Sequence, residues 1–133
     1  MKIVREIEGL ENSISSLINF FNEVKNFKKI FAEDVASFEV LNKNTFKIKI
    51  GSFPNISLTH KRITHDSFSL KSRSNTFDFE ILIKLSEINM TKTKCQIIFN
   101  GNFSTMIEMM AKKPLENFLT NISRKIEVLE FSN

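Results

Sequence analysis

The chain has 133 residues, 41% of them hydrophobic and 26% charged, a length and balance that fit one domain with a real core. Its formal net charge of +4 admits an anionic partner, but the basic residues are interleaved with acids, so no nucleic-acid surface is expected. A single cysteine, Cys95, excludes an intrachain disulfide and a Cys-rich zinc site, and no stretch approaches the roughly 20 apolar residues of a membrane span.

The N-terminus, MKIVREIEGLE, carries acids in place of an apolar run. Together with the lone thiol this predicts a cytoplasmic protein with no stable membrane insertion. Phe occurs 14 times, while Trp and Tyr are absent, so the aromatic content is apolar throughout. Gly and Pro are scarce, which argues against a loop-dominated fold.

In chain order, Lys2 to Glu8 alternates and predicts a first strand. Asn12 or Ser13 can cap a short helix in which Ile14, Leu17, Ile18, Phe21 and Val24 recur at helical spacing. Asn26 then breaks the pattern and recaps a second short helix carrying Phe27, Ile30 and Phe31. Neither helix is long enough to be stable alone, so both must pack on something larger.

From Val35 the period changes to two. Ala36, Phe38 and Val40 alternate with polar residues, Asn42-Lys43-Asn44 turns the chain, and Phe46, Ile48 and Ile50 form a half-buried strand. Pro54 lies in a turn over 51–55. Ile56, Leu58 and His60 share one face of the next strand, and Phe68 and Leu70 follow on another. Phe77, Phe79, Ile81, Ile83 and Leu85 alternate with Asp78, Glu80 and Lys84, ahead of a predicted turn over 86–89. The last strand, 91–100, has Cys95, Ile97 and Phe99 on one face. About seven strands result, six of them consecutive and joined by short turns, which implies an antiparallel meander.

The stretch from Ser104 to Phe131 predicts one long helix. Ile107, Ala111, Leu115, Phe118, Leu119, Ile122, Ile126 and Leu129 recur at three- and four-residue steps, opposite Glu108, Lys112, Lys113, Glu116, Asn117, Asn121 and Arg124. Ser104 or Thr105 can cap it, and Thr105 with Glu108 fits a capping box. Such a helix runs roughly 40 Å. Pro114 sits inside it; because the apolar stripe stays in phase across the proline, a kinked but continuous helix is expected. An antiparallel sheet with one apolar face needs cover, and this helix supplies it. The fold predicted is α+β, in the order β-α-α-β6-α: a curved sheet of about seven strands wrapped around the C-terminal helix as a single domain over 1–133.

With that order of elements, and with MMAKKPLENFLTNISRKIE on the closing helix, the sequence resembles the SRPBCC superfamily of START-like, polyketide-cyclase-like helix-grip proteins. The Asn117-Phe118 and Asn26-Phe27 pairs make it similar to a small stand-alone bacterial branch. The resemblance spans nearly the whole chain. It implies a hydrophobic cavity between sheet and helix, and a small hydrophobic or amphipathic ligand such as superfamily members bind. It carries over no catalytic residue, since no catalytic set is shared across the superfamily.

The alternation assigns candidate cavity-lining residues: Phe38, Phe46, Ile48, Leu58, His60, Phe68, Phe79, Ile81, Ile97 and Phe99 from the strands, with Met106, Met110 and Phe118 from the helix. The rings can line a hollow or fill it. Met106, Met109 and Met110 suit an adaptable apolar surface or plain packing. His60 is either a ligand-orienting group or general base, or a hydrogen-bonded histidine at a strand end. His65 lies in a turn. Two histidines without paired carboxylates at ligand spacing predict no metal site, and no cofactor motif is present. Cys95 reads as a buried, inert thiol. Three functions compete: a module binding a small hydrophobic molecule, a cyclase- or hydrolase-like enzyme, and an interaction protein with a filled core.

Overall fold

The period-two segments become strands of a single seven-stranded antiparallel sheet in the computed structural model, which describes residues 1–31 and 33–129. The strands are β1 (Lys2–Leu10), β2 (Ser37–Asn42), β3 (Thr45–Lys49), β4 (Ile56–Thr64), β5 (Ser67–Ser72), β6 (Asp78–Asn89) and β7 (Lys92–Asn102). Their order across the sheet is β1-β7-β6-β5-β4-β3-β2, so the last six form a meander and the first strand closes beside the last. Register irregularities in the β1–β7, β2–β3, β4–β5 and β6–β7 pairs add bend and twist.

Between β1 and β2 the chain runs through α1 (Ile14–Phe21), a 3-10 turn (Val24–Asn26) and α2 (Phe27–Phe31). Ser13 is the cap of α1, its hydroxyl accepting from the Ser16 amide at 3.3 Å. Asn26 does not recap a helix as its position suggested. Its side-chain amide donates to the Phe20 carbonyl at 2.9 Å and ties the turn back to the end of α1.

The closing helix, α3, spans Thr105–Val128 and passes Pro114 without a break. Its cap is Ser104, whose hydroxyl accepts from the Ile107 amide at 3.3 Å. The cap falls one residue before Thr105, so the pairing of Thr105 with Glu108 as a capping box is not formed. The predicted end at Phe131 lies outside the described residues. Ala111, Leu115, Phe118, Leu119, Ile122 and Ile126 are buried as the stripe required. Arg5 of β1 donates to the Thr120 hydroxyl at 3.0 Å and the Glu116 carbonyl at 3.4 Å. On the other flank, Asn121 donates to Asp34 at 2.8 Å and Lys125 pairs with Glu33 at 2.9 Å. The C-terminal half of α3 is thereby held from both sides.

β6 and β7 are longer than the turn residues suggested. Ser86 pairs with Lys94 and Glu87 with Thr93, so the ladder continues through the expected turn at 86–89. The chain reverses at Met90-Thr91, where the Asn89 side chain accepts from the Thr91 amide at 3.0 Å.

The interior is dominated by phenyl rings. Phe27 stacks on Phe46 with centroids 5.9 Å apart, Phe38 on Phe46 at 4.9 Å, and Phe79 on Phe99 at 5.1 Å. Phe31 reaches across from α2 to Phe118 of α3 at 5.4 Å. Each fully buried ring of this kind is worth about 1.5–3 kcal/mol of burial, so this cluster is a principal source of stability. Among the described residues no helix is long and apolar enough to cross a membrane.

Candidate functional site

The start of α3 stands over the loops that follow β3 and precede β6. Between them lies a mainly apolar recess of about 260 Å³ lined by Ser52, Phe53, Pro54, Phe77, Ile107, Met110, Ala111 and Pro114. None of these side chains ionises.

Each wall is held by local hydrogen bonding. Gly51 takes φ of +52°, which lets the chain turn so that the Phe53 amide reaches the Ile50 carbonyl at 2.9 Å. On the opposite loop, Ser72 donates to the Phe77 carbonyl at 2.8 Å and accepts from the Phe79 amide at 2.8 Å. The Phe77 amide donates to Ser74 at 3.0 Å. These contacts bring the Phe53 and Phe77 rings to 5.4 Å, with Phe103 6.4 Å beyond Phe77. Phe103 lies over Gly101 so closely that a Cβ there would meet its ring at 2.7 Å. A glycine is therefore what lets the β7–α3 junction fold flat against the wall.

Three methionines crowd the same end of α3 and remain in solvent: Met106 is 72% exposed, Met109 80% and Met110 68%. Met110 is on the recess wall, whereas Met106 is not among its lining residues, which corrects the expectation that both face an interior hollow. The register explains the difference. Ile107 and Ala111 occupy the inward positions of the first turns, so Met106 is turned outward.

Phe46, Ile48, Leu58, Phe68, Phe79, Ile81, Ile97, Phe99 and Phe118 are all buried, and Phe38 is half-buried at the sheet edge. None of them lines the recess. They sit inward as the alternation required, but ring packs on ring. Of the residues that do form the recess, Phe53 lies in a loop where periodicity carries no information, with its aromatic character beside Pro54 the one signal, whereas Phe77 heads the alternation of the next strand but lies in the loop just before β6.

His60 also sits away from the recess. It is 8% exposed, wedged between Phe27 and Phe68 at 5.6 and 5.8 Å, with Nε2 2.7 Å from the Phe21 carbonyl oxygen. It faces a different, polar cleft beside the β2–β3 turn. Cys95 is fully buried, and burial pushes its thiol up to about 12, which removes thiolate chemistry near neutral pH. Among the described residues no group of three or more His, Cys, Asp or Glu side chains could hold a metal ion.

No family profile matches the sequence, and no curated protein does. Solved structures do match. A START superfamily protein from Mycobacterium smegmatis superposes with a TM-score of 0.77 at 9% identity, over 95% of this chain and 94% of that one. An uncharacterised protein from Bacillus thuringiensis gives 0.74 at 5% identity, over 96% of each chain. Norcoclaurine synthase from Thalictrum flavum, solved with dopamine and hydroxybenzaldehyde, gives 0.71 at 8% identity, over 99% of this chain and 89% of that one. At these identities the likeness is one of fold, and it agrees with the strand order and closing helix described above: the chain has the helix-grip fold that these structures share.

Proposed function

We propose that the protein binds a small hydrophobic or amphipathic molecule in the recess under the first turns of α3. The observation that carries this reading is a wall built from Phe53, Pro54, Phe77, Ile107, Met110 and Ala111, opening beside two further exposed methionines. Thioethers adapt their shape to an apolar guest, and a site of this kind needs few polar groups to hold one. The volume of about 260 Å³ is just below the usual range for such pockets, about 300–1,000 Å³, so the guest is small: one aromatic ring or a short acyl chain. The solved norcoclaurine synthase, which holds two single-ring molecules, is a fold neighbour with guests of that size.

The recess wall favours binding over catalysis. A cyclase or hydrolase needs an ionisable group at the reacting centre, and this wall has none. His60, the residue on which an enzymatic reading depended, lines another cleft.

The test is thermal and chemical denaturation in the presence of indole and of octanoate. A ligand at about one hundred times its dissociation constant raises unfolding free energy by about 2.7 kcal/mol. Stabilisation that disappears in Ile107→Trp, which extends a half-buried wall residue toward the recess, supports the proposal. No stabilisation by either probe contradicts it, as does stabilisation that Ile107→Trp leaves intact.

A further inference from the structure

The polar cleft that His60 lines has a volume of about 560 Å³ and shares no residue with the apolar recess. Its walls come from three places: Asn22 and Glu23 after α1, Lys43 and Asn44 in the β2–β3 turn, and Thr59 to Arg62 of β4. The His60 amide donates to the Asn44 carbonyl at 2.7 Å and holds the turn against the strand. His60 is the one buried residue in this wall; the others are half-buried or exposed.

The tautomer of His60 follows from its partner. A carbonyl oxygen only accepts, so the contact of Nε2 with Phe21 requires the proton on Nε2. In the neutral ring Nδ1 then keeps a bare lone pair. Phe27 and Phe68 pack on the ring and oppose a flip. Nδ1 has no hydrogen-bond partner among the described residues. It is not sealed either, because no fully buried side-chain nitrogen or oxygen among them is left unpaired. Solvent therefore reaches this acceptor, and His60 meets solvent where it lines the cleft.

The wall of the cleft is unevenly charged. Lys43, Lys61 and Arg62 stand against one carboxylate, Glu23. Neither lysine has an ion pair among the described residues. Arg62 is placed by a 2.6 Å bond to the His65 carbonyl and by its position 5.8 Å from the Phe68 ring centroid. Cations that lack carboxylate partners and a solvent-reached acceptor with no donor from the described residues suit a guest that brings both an anionic group and a hydroxyl.

We infer that the cleft is a second binding site, for a small hydroxycarboxylate whose carboxylate meets the Lys43, Lys61 and Arg62 cations while its hydroxyl donates to His60 Nδ1. The hydroxyl provides selectivity, because a site built to hydrogen-bond a substrate group rejects the analogue that lacks it. The carboxylate provides attraction that weakens with salt.

The experiment compares malate with succinate, which carry the same two carboxylates and differ by one hydroxyl. Each is titrated into the whole protein by calorimetry and by NMR of the imidazole resonances. Malate is expected to bind about tenfold tighter than succinate, the usual worth of one net hydrogen bond, and to move the His60 resonances. His60→Leu removes the ring acceptor without supplying another; it should erase the preference while leaving succinate binding in place, which also reports that the cleft is still folded. Lys43→Ala with Lys61→Ala should weaken both ligands alike. Equal affinity of the wild-type protein for malate and succinate, no binding of either, or a preference that survives His60→Leu would overturn the inference and leave His60 as a tie between β4 and α1.

Discussion

Ser72→Ala is the substitution that most clearly links the sheet to the recess. The last β5–β6 backbone pair is Lys71 with Glu80, and beyond it the Ser72 hydroxyl takes over from the ladder. It donates to the Phe77 carbonyl and accepts from the Phe79 amide, both at 2.8 Å. The two ends differ in burial: the bond to Phe77 is part-buried and the bond from Phe79 is buried. Without the hydroxyl, water can reach the Phe77 carbonyl, but the Phe79 amide loses its acceptor inside the protein. Leaving one buried donor unpaired costs about 1–3 kcal/mol, so a loss of about 2 kcal/mol is expected. For a chain of this length that corresponds to roughly 6–8 °C in melting temperature. Urea unfolding followed by far-UV circular dichroism, with Ser74→Ala as a milder comparison, measures it. Ser74 accepts only the half-buried Phe77 amide at 3.0 Å, so its loss should be smaller. If Ser72→Ala falls within about 0.5 kcal/mol of wild type, the hydroxyl is not holding the loop, and the wall of the recess has another cause.

The remaining predictions concern ionisable groups. Cys95, its thiol pushed up to about 12 by burial, should resist alkylation by iodoacetamide at pH 8 in the folded protein and react readily in urea; fast reaction without denaturant would contradict its placement. The Asp78 carboxyl is held below the ordinary carboxylate range, first by a hydrogen bond from Lys71 and then by that cation's charge. A lowered carboxyl favours the folded state above its ordinary titration range and loses that contribution as pH falls. Asp78→Asn should therefore be slightly less stable than wild type near pH 7, with the gap closing below about pH 4 and shrinking in high salt, as unfolding curves across pH will show. A gap that widens on acidification would contradict this ion pair.

Much of the architecture was legible because two periods alternate cleanly in the chain. Phe46, Ile48, Ile56 and Leu58 follow the rule of a half-covered sheet, and Leu115 to Ile126 follow that of a covering helix, so layers and element order could be read directly. Boundaries were harder wherever a local signal competed with pairing. Ser86 to Asn89 has turn-like composition, yet cross-strand partners on β7 keep it extended. Asn26 has the composition of a cap but uses its amide as a donor.

The site was less legible for a physical reason. Alternation tells which side of a sheet a residue faces and says nothing of whether the space there is empty. Phe31, Phe38, Phe46 and Phe118 close that space with rings 4.9–6.4 Å apart, and the open volume moves to the loops at the start of α3. Phe53 has no periodic neighbours to mark it, and Phe77, though in phase with Phe79 and Ile81, falls in the loop ahead of β6. His60 was recognised as inward-facing, but its partner is the carbonyl of Phe21, 39 residues earlier, a backbone contact that no side-chain pattern encodes.

The most direct measurement of the proposed role of the recess uses the five methionines as reporters. With 13C-labelled methyl groups, each gives one resonance that can be followed as octanoate or indole is added. Binding in the recess predicts a large shift for Met110, smaller ones for Met106 and Met109 on the adjoining turn, and none for Met90 at the tip of the β6–β7 hairpin. Methyl resonances that stay unmoved at Met110, or that shift equally at Met90, would contradict it.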